Sequence, residues 1–109
     1  MQTLSHYLNG QLSAGQSQRT SPVYNPATGE QSAQVALATA DETREAVRIA
    51  DEAFVAWSKT SPLKRSRILF KFKALVEEHT DELARLISSE HGKVFSDAKG
   101  EVTRGLEVV

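Results

Sequence analysis

Three histidines, a Gly92-Lys93 pair and one run of cations are the residues of this chain whose types could do chemistry, and their spacing limits it. Gly92-Lys93 resembles the end of a phosphate-binding loop, where backbone N–H groups and a lysine cradle phosphates, but that loop requires glycine five residues earlier and a hydroxyl one residue later. Ile87 and Val94 occupy those places, so the motif is absent. His6, His79 and His91 form no ligand cluster, and none has a recognisable relation to a serine and an aspartate. His79 and His91 each precede a helix boundary and read as terminal or capping side chains, while His6 lies in a hairpin. Lys59, Lys64, Arg65, Arg67, Lys71 and Lys73 are the one local concentration of positive charge. They could hold an anion, but Glu77, Glu78, Asp81 and Glu82 follow immediately, which favours a solvated helix face.

With no cysteine there is no disulfide framework, no thiolate nucleophile and no thiolate metal site. G-x-S-x-G, G-x-G-x-x-G and H-E-x-x-H are also missing. Read by its residues alone, the chain offers no catalytic, cofactor-binding or metal-ligating group.

The elements that would position any site divide by charge. Residues 1–40 hold only Arg19 and Glu30 as charged side chains, together with all six glutamines, and read as strands and hairpins. Residues 41–109 hold every other charge, with apolar residues at three- and four-residue spacing, and read as helical. In the first part, Asn9-Gly10 between His6-Tyr7-Leu8 and Gln11-Leu12 signals a type I′ hairpin, whose central positions both need positive φ. Val23-Tyr24 leads into the turn Asn25-Pro26-Ala27-Thr28-Gly29-Glu30, and Gln34 to Leu37 alternates again, so three or four short strands are expected.

In the second part, Thr39 and Glu42 form a capping box for a helix running to about Trp57, with Ala46, Ala50, Ala53, Phe54 and Trp57 on one stripe. Ser61 caps a second helix with Pro62 at its first position, and Leu69, Phe72 and Val76 continue its apolar face. Thr80-Asp81-Glu82 caps a third, bearing Leu83, Leu86 and Ile87 and ending at Gly92. A fourth begins near Ser96, and its stripe of Val102, Leu106 and Val109 is still running at the last residue, which predicts that the helical part is truncated at 109.

A formal charge of −1 gives no summed field for nucleic acid or anionic lipid. No apolar run approaches the roughly 20 residues that span a bilayer, and the N-terminus lacks the basic start and apolar core of a signal peptide. A cytoplasmic protein with neither a nucleic-acid nor a membrane partner is the expectation.

Five stretches, in order along nearly the whole chain, carry a resemblance to a known family. They are Tyr7-Leu8-Asn9-Gly10, Val23 to Glu30, Ala53-Phe54-Val55-Ala56-Trp57, Arg65-Ser66-Arg67-Ile68-Leu69 and Glu90-His91-Gly92-Lys93. The chain resembles the N-terminal part of an aldehyde dehydrogenase. Within that family, Ile68 to Phe72 and Gly100 to Val109 resemble the CoA-acylating methylmalonate-semialdehyde dehydrogenases.

The resemblance implies an α/β fold in which N-terminal strands and about four helices flank a Rossmann-like NAD-binding domain, incomplete in this chain. It implies oxidation of methylmalonate or malonate semialdehyde with NAD, through a cysteine thiohemiacetal and a thioester that coenzyme A intercepts. The cysteine, the oxyanion-stabilising asparagine and the NAD-binding turn of the family lie beyond residue 109, so the chain alone is expected to be inactive. A dimeric or tetrameric homo-oligomer is implied for the whole enzyme. Two alternatives stand beside it: a non-acylating, succinate-type semialdehyde dehydrogenase segment, and a stand-alone helical interaction module.

Most relatives carry an aromatic or small residue where Arg104 stands, and the semialdehyde implied by the branch carries a carboxylate. Arg104 is therefore the one candidate substrate-binding residue, a guanidinium matching carboxylate geometry with two parallel donors. Its alternative is an ordinary surface pair with Glu101 or Glu107.

Overall fold

A computed structural model describes residues 1–109 as five strands followed by four helices. Two compact units emerge, Met1–Tyr24 with Gly29–Lys59, and Asn25–Thr28 with Thr60–Val109.

In the first unit, β1 (Gln2–Leu4), β4 (Thr20–Tyr24) and β5 (Gln31–Ala36) form one sheet, and β2 (His6–Leu8) pairs with β3 (Gln11–Ser13). The β2–β3 turn has the expected geometry, with φ of 50° at Asn9 and 74° at Gly10. That twist matches the right-handed twist of the flanking strands and sets the register Tyr7 to Leu12. In the three-stranded sheet β5 is central, parallel to β1 and antiparallel to β4. Pro22 lies on the edge strand β4, where its missing N–H does least harm. Ala33 and Ala36 of β5 are the buried side chains of this unit.

There are five strands where three or four are expected. The additional one is β1, a stretch of three residues with no turn signal before it, whose extended state comes from pairing with Ala33, Gln34 and Val35 across the sequence. The unit ends in α1 (Ala40–Lys59), two residues longer than its expected end at Trp57. No residue of α1 is buried, and Phe54 and Trp57 are 60% and 42% exposed.

The second unit contains α2 (Pro62–Glu78), α3 (Thr80–His91) and α4 (Phe95–Val108). Ser61 caps α2 as expected, its Oγ accepting the Lys64 N–H at 3.3 Å with Pro62 at the first position. Gly92 closes α3 at φ 84°. Thr80 does not cap α3. Only His79 separates α3 from the end of α2, so no extended residue precedes the helix. The Thr80 hydroxyl instead donates back to the Val76 and Glu77 carbonyls at 3.0 and 2.9 Å. The N-cap is His79, whose Nδ1 lies 2.9 Å from Glu82 Oε2. The core of the unit sits between α3 and α4, where Ala84 and Ala98 are fully buried and Val102 is nearly so. A buried alanine on each helix lets the two backbones approach closely.

Candidate functional site

Arg104 stands on the exposed side of α4, with 68% of its side chain accessible. Its guanidinium folds back toward Gly100, where a β-carbon added to the glycine would meet Nη1 at 3.5 Å. Its Nη2 is 3.9 Å from Glu101 Oε1, a loose ion pair one helical turn away. Glu101 already has a closer partner. The ammonium of Lys93, only 19% exposed, reaches over the linker before α4 to hydrogen-bond that carboxylate. The Lys93 hydrogen bond is the largest influence holding the Glu101 carboxyl below its usual range, ahead of the charge of Arg104. Lys93 is thus engaged by Glu101, while Arg104 keeps most of its donors in solvent.

The remaining candidate side chains are not gathered. His6 belongs to the first unit, where its Nε2 is shielded from solvent without a hydrogen-bond partner, beside Gly15. His79 and His91 stand at opposite ends of α3. Of the cation run, Lys73 pairs with Glu77 along α2, and Lys64, Arg67 and Lys71 are exposed. No group of three or more His, Cys, Asp or Glu side chains converges as metal ligands. No helix is long and apolar enough to cross a membrane.

One cluster is not foreshadowed in the sequence. Arg85 of α3 and Lys99 of α4 each sit 5.7 Å from the centroid of the Phe95 ring. Lys99 Nζ also pairs with Asp81 Oδ1 at 2.8 Å, and that bond lowers the Asp81 carboxyl. The i, i+4 spacings Asp81 to Arg85 and Phe95 to Lys99 are the available sequence signal, but only the crossing of α3 and α4 joins them. Phe95, Arg85 and Ser88, with Asn25 to Ala27 of the same unit, line a shallow hollow of about 480 Å³. The Asn25 turn is held by its own side chain, whose Oδ1 accepts the Ala27 N–H at 2.8 Å.

A dinucleotide does not fit these residues. Its pyrophosphate needs glycines at the junction of a strand with a helix N-terminus. The glycines with positive φ are Gly10 in a hairpin, Gly15 and Gly29 in loops, and Gly92 at a helix C-terminus. With no cysteine present, no thiolate is available either. The arrangement can offer a carboxylate a guanidinium, but it assembles no nucleophile with a base.

The profile of the aldehyde dehydrogenase family matches residues 13–109. Malonate-semialdehyde dehydrogenase 2 of Geobacillus kaustophilus is 50% identical over all 109 residues, which make up 22% of its length. A protein of Sinorhizobium meliloti, crystallised with NAD and described as a methylmalonate-semialdehyde dehydrogenase, is 44% identical and superposes with a TM-score of 0.94, covering 99% of this chain and 22% of that one. The methylmalonate-semialdehyde dehydrogenase of Oceanimonas doudoroffii is 48% identical with a TM-score of 0.93, covering 98% and 22%. The chain thus spans about a fifth of the length of the relatives it matches.

Proposed function

The chain belongs to the aldehyde dehydrogenase family, and from that premise we propose that it is the N-terminal scaffold of an NAD-dependent, CoA-acylating malonate- or methylmalonate-semialdehyde dehydrogenase. The observation that carries this reading is the 50% identity, extending over the whole chain, to a malonate-semialdehyde dehydrogenase. In this reading the 109 residues are inactive alone, because they hold neither a cysteine to form the covalent intermediate nor a turn to cradle NAD. NAD, which accepts hydride from the aldehyde carbon when bound, and coenzyme A, which takes up the acyl group, would be held by parts of the parent polypeptide outside this stretch. Arg104 is proposed as the anchor for the substrate carboxylate, supported by its exposed guanidinium and by the prior engagement of Glu101 with Lys93. The parent is proposed to be a cytoplasmic homo-oligomer acting on a small semialdehyde.

The test is to express the longest reading frame containing these 109 residues and to follow NAD reduction with malonate, methylmalonate and succinate semialdehydes, with and without coenzyme A. Faster turnover of the first two substrates, dependent on coenzyme A, is expected. Preference for succinate semialdehyde without such dependence would point to the non-acylating type. A frame that stops at Val109 would leave the interaction module.

A further inference from the structure

The chain contains two asparagines, Asn9 and Asn25, and their neighbours give them opposite chemistry. A main-chain nitrogen that follows an asparagine attacks the side-chain amide carbon and closes a succinimide ring when it has a proton to lose and no β-carbon beside it to obstruct the approach. Gly10 meets both conditions for Asn9. Pro26 follows Asn25 and has no N–H, so that path is closed there. Asn25 is also half-buried, with its Oδ1 accepting the Ala27 N–H at 2.8 Å. Asn9 and Gly10 are both exposed, and a β-carbon built on Gly10 meets nothing within 4 Å, so water and base reach the turn freely. The turn is also lightly held. β2 and β3 have three residues each and form a ribbon of their own, not joined to the three-stranded sheet. Two-stranded ribbons are marginally stable, so the tip opens readily, releasing Asn9 from its φ of 50° and letting the Gly10 nitrogen line up with the side-chain carbon.

We propose that Asn9-Gly10 is a site of spontaneous covalent modification, at which Asn9 deamidates to aspartate and isoaspartate. The Gly10 nitrogen gives its proton to base and bonds to Asn9 Cγ; the Cγ–Nδ2 bond breaks, and Nδ2 takes up a proton and leaves as ammonia. Water then opens the succinimide. Opening at Cγ leaves aspartate, and opening at the main-chain carbonyl leaves isoaspartate, with the chain routed through the β-carbon. The step needs no oxidant or reductant. Its two products differ for the fold. Asp-Gly suits the type I′ turn as Asn-Gly does, so aspartate keeps Tyr7 opposite Leu12 and only places a negative charge among residues 1–18, which hold no Asp, Glu, Lys or Arg. Isoaspartate adds a backbone carbon to a loop whose length sets the register, and so unzips β2 from β3. The site depends neither on the family's chemistry nor on the choice of substrate.

The experiment ages the protein expressed from the longest reading frame containing these residues, at neutral and at mildly alkaline pH, and follows its tryptic peptides by mass spectrometry. The peptide ending at Arg19 carries Asn9, and the peptide Thr20–Arg44 carries Asn25. The first is expected to gain the mass difference between an amide and an acid, located at Asn9 by fragmentation and several times faster at the higher pH, while the second stays unchanged. A protease that cuts before aspartate but not before isoaspartate divides the products, and chymotrypsin should cut after Tyr7 faster in proportion to the isoaspartate formed. Asn9→Gly, which accepts positive φ and carries no amide, should lose the modification with the melting temperature unchanged. An Asn9 that stays intact in the folded protein while it is modified in urea would overturn the proposal. So would an equal gain at Asn25, or a gain in the Arg19 peptide that persists in Asn9→Gly. Cleavage after Tyr7 that does not change with isoaspartate would overturn the unzipping of β2 from β3.

Discussion

Glu42 Oε1 accepts the backbone N–H of Gln16 at 2.6 Å, 26 residues earlier in the chain, while its Oε2 accepts the Thr39 N–H at 2.8 Å. One carboxylate therefore caps α1 and ties down the loop after β3. The Thr39 bond is the largest influence lowering the Glu42 carboxyl from its ordinary value of 4.5, and the Gln16 bond acts in the same direction. A carboxyl whose folded pKa is depressed stabilises the fold fully above its unfolded pKa, and that contribution disappears as pH falls through the folded value. Helix content followed from pH 7 downward should therefore hold to about 4.5 and then decline. In Glu42→Gln the part of the decline due to this group should be absent. Thr39→Ala, which removes the reciprocal hydroxyl, should cost about 1 kcal/mol by chemical denaturation at neutral pH.

Gly15 and Gly29 both have positive φ, 78° and 73°, but their surroundings differ. A β-carbon at Gly29 meets nothing within 4 Å, whereas at Gly15 it would lie 3.0 Å from His6 Nε2 and 3.2 Å from Glu42 Oε1. Gly29→Ala should cost about 1 kcal/mol for the backbone conformation alone. Gly15→Ala should add roughly 1 to 3 kcal/mol of overpacking and loosen the Gln16 tether, measured by urea unfolding and by amide exchange at Gln16.

Ala84 and Ala98 have no accessible surface, which sets the closeness of α3 to α4. Ala98→Leu should destabilise by roughly 1 to 3 kcal/mol. Ala74→Leu, on an exposed part of α2, should stay within about 0.5 kcal/mol. Equal effects from the two would show that α3 and α4 do not pack through these alanines.

The Asp81 carboxyl is lowered first by its hydrogen bond from Lys99 and then by that cation's charge. In Lys99→Met its titration, followed by NMR, should move up toward the ordinary value of 3.8. The contribution of this pair is present above that pH and lost as pH falls through the lowered value, and salt should weaken it because both partners are about half exposed.

These residues also show what the sequence could disclose. The Thr39–Glu42 box, the Ser61-Pro62 start, the Asn9-Gly10 turn and the Gly92 stop are legible because each is decided within four residues of chain. The bond from Gln16 to Glu42, the strand β1 and the approach of Arg85 to Phe95 are not, since each exists only through a partner on another element. Thr80 misleads for a related reason: its local pattern is that of a cap, but the preceding helix runs to within one residue of it. Arg104 is singled out by resemblance alone, and nothing in its own spacing distinguishes it from a surface arginine.

Its role can be separated from a structural one by substrate choice. The guanidinium contacts Glu101 only at 3.9 Å and is 68% exposed, so removing it leaves no buried group unpaired. Arg104→Leu should therefore preserve the melting temperature of the parent enzyme within the small range of exposed ion pairs. If Arg104 anchors the substrate carboxylate, the loss of a charge-assisted bond of about 1.5 to 3 kcal/mol should lower kcat/KM for malonate semialdehyde roughly 10- to 100-fold. Propanal, which has the aldehyde without the carboxylate, should be affected much less. Glu101→Gln is read by melting temperature, because it takes the carboxylate from Lys93 as well as from Arg104, and the anchor role is judged on the contrast between the two substrates in Arg104→Leu. Equal impairment of both substrates by Arg104→Leu would assign the residue to the integrity of α4 and exclude the anchor.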